Sequence, residues 1–184
     1  MKLNFFQQFP GIDPGVLNEI WSDPEVIARI VKALPNIQER ELLEEKQDDK
    51  FLRRKVRYLA KVPIPTFAQK VLRPDMLSWV EETVYDKKNQ VYQVKCIPHF
   101  FADRVENELT IRLLPDGKGG TLRVMEGVFN LRIPFLVRGM AESLINRYLQ
   151  DNMEREYQVL KTEVENHLSK KTSSSKKKPE SRKA

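Results

Sequence analysis

The sequence predicts an α+β fold in which an antiparallel sheet of six to seven strands packs against one long C-terminal helix. Two helix signals follow a first strand-like segment, alternating apolar and polar residues then recur through the middle of the chain, and a helical stripe of apolar residues comes last. Consecutive strands with the helices gathered outside them are typical of α+β proteins, because parallel sheets need a crossover, usually a helix, between strands.

The N-terminal elements are a short strand and two helices. Residues 2–9 mix aromatic and polar side chains, as a short strand does. Asp13 and Asp23 each precede a proline, which places an N-cap residue before a proline at the first helical position. In the second of these helices the apolar residues recur every three or four positions and form one face; they are Val26, Ile27, Ile30 and Leu34.

The middle of the chain has the pattern of an antiparallel meander. In residues 50–62 the even-numbered positions Leu52, Val56 and Tyr58 are apolar, and Arg54 is the polar exception among them. This alternation indicates a strand with one buried face. The polar turns DDK, DKKN and PDGKGG separate neighbouring strands. The strand candidates are residues 37–47, 50–62, 76–85, 90–98, 104–114 and 121–133, and the proline-flanked segment 63–75 predicts one or two helical turns.

The last part of the folded chain predicts a helix that can cover the sheet. From Phe135 to Leu160, apolar or aromatic side chains recur mostly every three or four residues. A helix of about 26 residues is about 39 Å long. A sheet with one apolar face has to bury that face against another element. We therefore expect this helix to pack along the sheet.

The charge distribution separates a neutral domain from a basic tail. The chain has 184 residues and a net charge of +6. Residues 169–184 contain seven Lys or Arg and one Glu, so the whole excess lies there and residues 1–168 are neutral. We expect one domain over 1–168 and a disordered tail over 169–184. A neutral domain argues against a nucleic-acid groove; a tail that contacts nucleic acid stays a rival, and it predicts binding that weakens steeply with salt.

Cysteine usage and hydropathy indicate a cytoplasmic protein. Cys96 is the single cysteine, which rules out an internal disulfide and a cysteine-cluster zinc site and fits a reducing compartment. No segment approaches the ~18 consecutive apolar residues of a membrane span. Each Lys or Arg near an anionic surface contributes on the order of 1 kcal/mol. The tail therefore predicts a transient, peripheral contact with an anionic membrane surface, with a merely solubilising tail as the alternative.

Two stretches resemble the helix-grip fold of the START-like (SRPBCC) superfamily. VPIPTFAQKVLRPDMLSWVEETVYDKKNQVYQVKC, residues 62–96, has a proline-flanked short helix followed by a hairpin with an acidic turn. GVFNLRIPFLVRGMAESLINRYLQDNMEREYQVL, residues 127–160, has a strand that leads into a long helix. The order of elements agrees over residues 2–168. The relatives that look nearest are an uncharacterised bacterial START-like family and the PRELI-like lipid-transfer family.

The resemblance implies an apolar cavity between the sheet and the long helix, closed by loops and by the short helix near Phe67. In such proteins the cavity holds a lipid, a sterol or another hydrophobic small molecule. We therefore expect binding, and by extension transfer, of such a molecule without chemical turnover. An ordinary filled core is the alternative. The expected lining residues are Tyr58, Phe67, Val71, Trp79, Tyr92, Val94, Leu109, Ile111, Val128, Met140, Leu144 and Tyr148.

The sequence offers few residues for catalysis, and we expect no catalytic set, no metal and no cofactor. His99 and His167 are the two histidines, too few for a metal site with three or four ligands. His99 lies near Asp103, so the two form a candidate acid–base pair, although a solvated loop histidine is the simpler interpretation. The GKGG turn leads into a strand, whereas a phosphate loop leads into a helix.

Two further features leave alternatives open. Phe100 and Phe101 are adjacent in a loop, where they would seal a cavity mouth, insert into a bilayer surface or pack. Glu81 and Glu82 lie on opposite faces of one strand, so only one can point inward. That carboxylate would orient a ligand or a water molecule, or it would lie at a strand edge in solvent, which we favour. The leading alternative function is a cyclase- or hydrolase-type enzyme on the same fold. Two or more ionisable groups that converge inside the cavity would favour it.

Overall fold

The computed structural model describes residues 1–61, 63–64, 66, 73, 77–100, 102–132 and 135–175, with residues 135–137, 140 and 172–175 described by their backbone alone. The order of elements is the predicted one: a strand, two short helices, six strands and a long helix. The elements are β1 (Lys2–Phe9), α1 (Pro14–Ser22), α2 (Pro24–Ala33), β2 (Ile37–Gln47), β3 (Phe51–Ala60), β4 (Ser78–Asp86), β5 (Val91–Pro98), β6 (Val105–Pro115), β7 (Thr121–Leu131) and α3 (Phe135–Ser175).

The strands form one antiparallel sheet of seven strands, in the order β1-β7-β6-β5-β4-β3-β2. Strands β2 to β7 follow one another as a meander, and β1 pairs with β7, so the first and last strands of the chain are neighbours. The predicted α+β class and strand number are confirmed. The predicted helical turns within 63–75 fall largely outside the described residues, and a 3-10 turn at Ala102–Arg104 precedes β6.

The two short helices begin where the aspartates predict. The Asp13 carboxylate accepts a hydrogen bond from the Gly15 N–H at 2.7 Å, and the Asp23 carboxylate accepts one from the Glu25 N–H at 2.7 Å. Each bond satisfies a backbone donor that has no partner within the helix. Both helices pack on the second half of α3. The core cluster that joins them to the sheet comprises Phe9, Ile12, Leu17, Val26, Ile30, Leu113, Leu160 and Val164.

The face of the sheet that packs on the helices is here called the inner face. A second buried cluster lies on it, with Met153 of α3 packed against the sheet residues. Alternation along each strand assigns the remaining side chains to the inner or the outer face. The sheet residues of this cluster are Leu52, Tyr85, Tyr92, Val94, Ile111 and Met125.

The long helix continues past Leu168, where the domain was predicted to end, as far as Ser175. The domain bounds themselves stay a prediction. Among the described residues, none of the helices combines the length and the apolar character that a bilayer span requires.

Candidate functional site

The inner face has a packed part and a part whose side chains keep accessible surface. Among the described side chains of α3, the buried ones lie in its second half: Glu156, Leu160 and Val164. The described apolar side chains of its first half are half-buried. Several inner-face residues at the end of the sheet from which α3 leaves β7 are half-buried as well, beside the buried Val56 and Asn107. These two half-buried sets are called the candidate site, which comprises Tyr58, Trp79, Glu81, Thr83, Cys96 and Leu109 of the sheet and Ile145, Tyr148 and Leu149 of α3.

The phase of α3 identifies which of its side chains point toward the sheet. Ile145 and Leu149 each lie within about 20° of Glu156 around the helix axis, at 100° per residue. Glu156 is buried against the sheet, so these two residues continue its inward line. Leu144 and Tyr148, which were predicted as lining residues, lie about 120° and about 80° from Glu156. Ile145 and Leu149 were missed because the predicted stripe ran through the neighbouring positions.

A buried ion pair divides the packed part from the candidate site. Arg123 has no exposed surface. Its Nη1 lies 2.9 Å from Oε1 of Glu156, and its Nε donates to Oε1 of Gln7 at 2.7 Å. Its guanidinium lies 4.6 Å from the ring centroid of Trp21. This group connects β1, β7, α1 and α3 at one point, which fixes the helix over the sheet.

Glu81 is the inward carboxyl of β4. Its direct neighbours in the sheet are Val56 on one side and Cys96 on the other. Thr83 Oγ1 donates a hydrogen bond to Glu81 Oε1 at 3.5 Å. Burial raises the pKa of Glu81 to about 7, with a further contribution from the carboxylate of Glu156. The side chain keeps some accessible surface, yet the protein around it removes most of its hydration.

The expectation that this carboxylate would lie in solvent is therefore wrong. Glu82, its neighbour on the outer face, forms the exposed pair, with Lys55 Nζ 2.8 Å from its Oε1. The apolar residues of β4 occupy both parities, so the alternation pattern is too weak to separate the two glutamates.

Aromatic rings form the wall beside Glu81. Tyr58 and Trp79 are direct partners across β3 and β4, and their rings stack at 5.2 Å between centroids and 16° between planes. Arg40 Nε donates to the Tyr58 hydroxyl at 3.4 Å. Burial, with the Glu81 charge, raises the pKa of Tyr58 well above its ordinary value. Tyr58 is thus a neutral phenol.

Cys96 is a half-buried thiol on β5. Burial and the neighbouring Glu81 charge raise the pKa of Cys96 far above its ordinary value. The side chain of Asn107 replaces a strand pairing here: its Nδ2 donates to the Cys96 carbonyl at 2.5 Å and its Oδ1 accepts from the Cys96 N–H at 2.7 Å. A thiol without a thiolate form near neutral pH is a poor nucleophile.

The other predicted lining residues fall into three groups. Tyr92, Val94 and Ile111 are buried in the second core cluster. Val128 is 40% exposed and lies on the outer face, because it alternates with Gly127 and Phe129 and pairs with Glu108, so it does not line the candidate site. Phe67 and Val71 lie outside the described residues, and so does the Met140 side chain.

The histidine loop offers no assembled acid–base pair among the residues that the structure describes. His99 is exposed, and its ring packs edge-on against Phe100 at 5.1 Å between centroids. Asp103 lies 3.9 Å from the Nε of Arg104. Phe101 lies outside the described residues. In the part of the chain that the structure describes, no three His, Cys, Asp or Glu side chains converge as metal ligands.

Three solved structures share this fold at low sequence identity. TTHA0849 from Thermus thermophilus matches with a TM-score of 0.61 and 19% identity over 91% of this chain and 99% of the other. Zhui aromatase/cyclase from Streptomyces sp. R1128 gives 0.60 and 14% over 91% and 95%. Norcoclaurine synthase from Thalictrum flavum gives 0.59 and 13% over 87% and 86%. These likenesses confirm the helix-grip fold that the sequence resemblance predicted, and they do not test the PRELI-like resemblance.

A family model described as "Protein of unknown function (DUF2505)" matches residues 7–163. The match covers β1 to α3 and therefore most of the folded chain. No curated protein matches the sequence.

Proposed function

The chain belongs to the DUF2505 family of proteins of unknown function, and we propose that it binds a hydrophobic small molecule between the sheet and the first half of α3. One observation carries this proposal: the apolar side chains at this end of the sheet and in the first half of α3 are half-buried, whereas those around the second half of α3 are buried. Facing apolar surfaces that keep accessible area are typical of a ligand site, because a packed core would remove that area from water.

A lipid or another amphiphile suits the composition of this surface. Aromatic and aliphatic side chains supply most of it, and the polar groups are few and lie close together around Glu81. Burial of about 300 Å² of apolar ligand surface would contribute about 7 kcal/mol at 25 cal/mol per Å². Part of that free energy offsets the loss of ligand freedom, so an affinity in the micromolar range is reasonable.

The similar structures support a small-molecule partner by analogy. One is named as an aromatase/cyclase, and another is described in complex with dopamine and hydroxybenzaldehyde. At 14% and 13% identity the similarity shows a shared fold and does not identify a substrate for this chain.

Native mass spectrometry of the purified protein, followed by organic extraction, tests the proposal. We expect a discrete co-purifying molecule, or uptake from a panel of fatty acids, sterols and phospholipids. Leu149→Glu should abolish uptake, because it places a charge on the inward line of α3. Leu114→Glu is the matched control, since Leu114 is exposed on the outer face. An empty wild-type chain that takes up none of the panel, or equal uptake by both variants, would overturn the proposal.

The polar groups of the candidate site favour a second function, an enzyme of the cyclase or hydrolase kind. Glu81, Tyr58 and Arg40 converge there, and a carboxyl with a pKa of about 7 is matched to proton transfer at neutral pH. The test is incubation of the extracted molecule with wild type and with Glu81→Gln. Turnover by wild type that Glu81→Gln abolishes, while binding remains, would favour the enzyme; an unchanged molecule would favour the carrier.

The basic tail supports a peripheral role at membranes in a cytoplasmic protein. Its net charge of +6 is confined to residues 169–184, and such a segment is attracted to anionic lipid. Co-sedimentation with phosphatidylserine vesicles should decrease on deletion of residues 176–184, which leaves the described helix intact. Equal sedimentation with and without these residues would contradict this role.

A further inference from the structure

The Glu81 carboxylate has no cationic partner within ion-pair distance among the described residues. Its hydrogen bond from Thr83 is long, at 3.5 Å. Glu82 on the outer face has Lys55 at 2.8 Å, and the buried Glu156 has Arg123 at 2.9 Å. A carboxylate that loses its hydration without gaining a partner is unfavourable by several kcal/mol. A ligand group that donates hydrogen bonds or carries positive charge would therefore stabilise the Glu81 carboxylate.

The charged and titratable groups around Glu81 come from four elements. Arg40 faces it from β2, Tyr58 from β3, Cys96 from β5 and Glu156 from α3. Tyr58 and Cys96 are neutral, and Glu156 is paired with Arg123, although its negative charge still raises the pKa of Glu81. Arg40 donates to the Tyr58 hydroxyl and lies 5.9 Å from the Tyr58 ring centroid. The positive charge of Arg40 acts on Glu81, but the two side chains form no ion pair among the described residues.

The rings beside Glu81 complete a surface suited to a cation. Trp79 precedes Glu81 by two residues on the same face, a separation of about 7 Å along the strand. Its ring stacks with Tyr58. A cation beside a carboxylate gains an ion pair, and it gains a cation–π contact as well where it reaches the face of a neighbouring ring; both are stronger where water is excluded.

We infer that the ligand of this site carries a basic nitrogen on an apolar body, and that its ammonium group lies between the carboxylate of Glu81 and the stacked rings of Trp79 and Tyr58. This inference rests on the proposed small-molecule site and names the chemical class of its ligand. An alcohol of the same shape would donate one hydrogen bond and leave the charge of Glu81 uncompensated. A carboxylate of the same shape would meet Glu81 as a like charge.

Three probes of one chain length test the inference: decylamine, decanol and decanoate, titrated calorimetrically into the full chain at pH 8 and below their aggregation concentrations. At pH 8 most of Glu81 is ionised. We expect decylamine to bind wild type at least about tenfold more tightly than decanol, as a charge-assisted contact predicts. Glu81→Gln should remove that advantage by weakening the binding of decylamine. Glu82→Gln, the matched control on the outer face, should change neither the decylamine nor the decanol affinity.

The remaining outcomes overturn the inference in distinguishable ways. Equal affinities for all three probes, or a decylamine advantage that survives Glu81→Gln, would contradict the recognition of an amine by Glu81. Either result would leave the proposed hydrophobic site in place. If decanoate binds most tightly, the polar end of the ligand contacts Arg40 and Glu81 is protonated. Binding of none of the three would remove the small-molecule site itself. A second readout is pH: the decylamine advantage should shrink between pH 8 and pH 5.5, because Glu81 takes up a proton while the amine stays charged.

Discussion

Arg123 of β7 and Glu156 of α3 form an ion pair of 2.9 Å in the interior, and Arg123 is fully buried. Gln7 of β1 accepts two further hydrogen bonds from the same guanidinium. The pair lies where the packed part of the inner face meets the candidate site.

Arg123→Met should lower the free energy of unfolding by about 3–5 kcal/mol, because Glu156 would be left as a buried, unpaired charge. Urea unfolding followed by circular dichroism measures the change. Arg112→Met is the matched control. Arg112 pairs with Glu126 at 2.6 Å on the exposed outer face, and surface pairs contribute about 0–1 kcal/mol. Similar losses in the two variants would show that the buried pair has no special role.

Gly127 should tolerate no side chain. A Cβ built on Gly127 would lie 2.3 Å from the backbone oxygen of Glu108 and 3.0 Å from the Leu109 Cα, so the backbones of β6 and β7 would have to separate. We expect Gly127→Ala to destabilise the fold by about 1–3 kcal/mol.

Gly139 provides the opposite case in the exposed part of α3. A Cβ there meets nothing within 4 Å. Gly139→Ala should stabilise the protein by about 0.5–1 kcal/mol through helix propensity. Thermal unfolding of Gly127→Ala and Gly139→Ala measures both changes in stability. A Gly127→Ala variant as stable as wild type would contradict the close approach of the β6 and β7 backbones at this position.

The order of elements could be predicted because local signals specify it. The caps at Asp13 and Asp23 and the alternation in β3 and β6 are properties of short segments. The inner face of β4 could not be predicted, because apolar residues lie on both faces: Trp79 and Tyr85 on one, Val80 and Val84 on the other. Tertiary pairing decides that Glu81 faces inward.

The buried side of α3 contains a charged residue that an apolar stripe could not indicate. Glu156 is a charged residue at the centre of the buried line, and its partner Arg123 is equally buried. Sequence patterns assign both to the surface, since charged residues are seldom fully buried without a partner. The predicted stripe therefore contained Leu144 and Tyr148 and left out Ile145 and Leu149, and all four side chains are half-buried.

Trp79 and Tyr92 should respond differently to substitution. Trp79 belongs to the candidate site, so Trp79→Leu should weaken ligand affinity at least about tenfold through lost apolar and ring contact while the fold persists. Tyr92 is buried between Tyr85 and Trp21, and its hydroxyl bonds Asn18. Tyr92→Phe should cost about 0.5–1.5 kcal/mol of stability and leave affinity unchanged. Affinity loss in Tyr92→Phe equal to that in Trp79→Leu would extend the ligand site into the second core cluster.

The raised pKa of Glu81 predicts that the free energy of unfolding decreases as the pH rises. Its pKa is raised from 4.5 to about 7 by burial, so the folded protein holds a proton that the unfolded chain has released between these two values. The unfolded state then binds fewer protons than the folded state, and stability falls as pH rises through this window. At 1.36 kcal/mol per pKa unit the ligand-free protein should lose up to about 3 kcal/mol, less where water reaches the carboxyl.

Glu81→Gln isolates this contribution, because glutamine has the shape of the protonated acid and no titration. Wild type and variant should be equally stable at pH 4.5, and the variant should be the more stable above pH 7. Urea midpoints at half-unit pH steps measure the difference, with Glu82→Gln as the exposed control. A constant difference between pH 4.5 and pH 8 would mean that Glu81 ionises in the fold as it does in the open chain. In that case the carboxylate is hydrated, and neither proton transfer nor recognition of an ammonium group would gain from its burial.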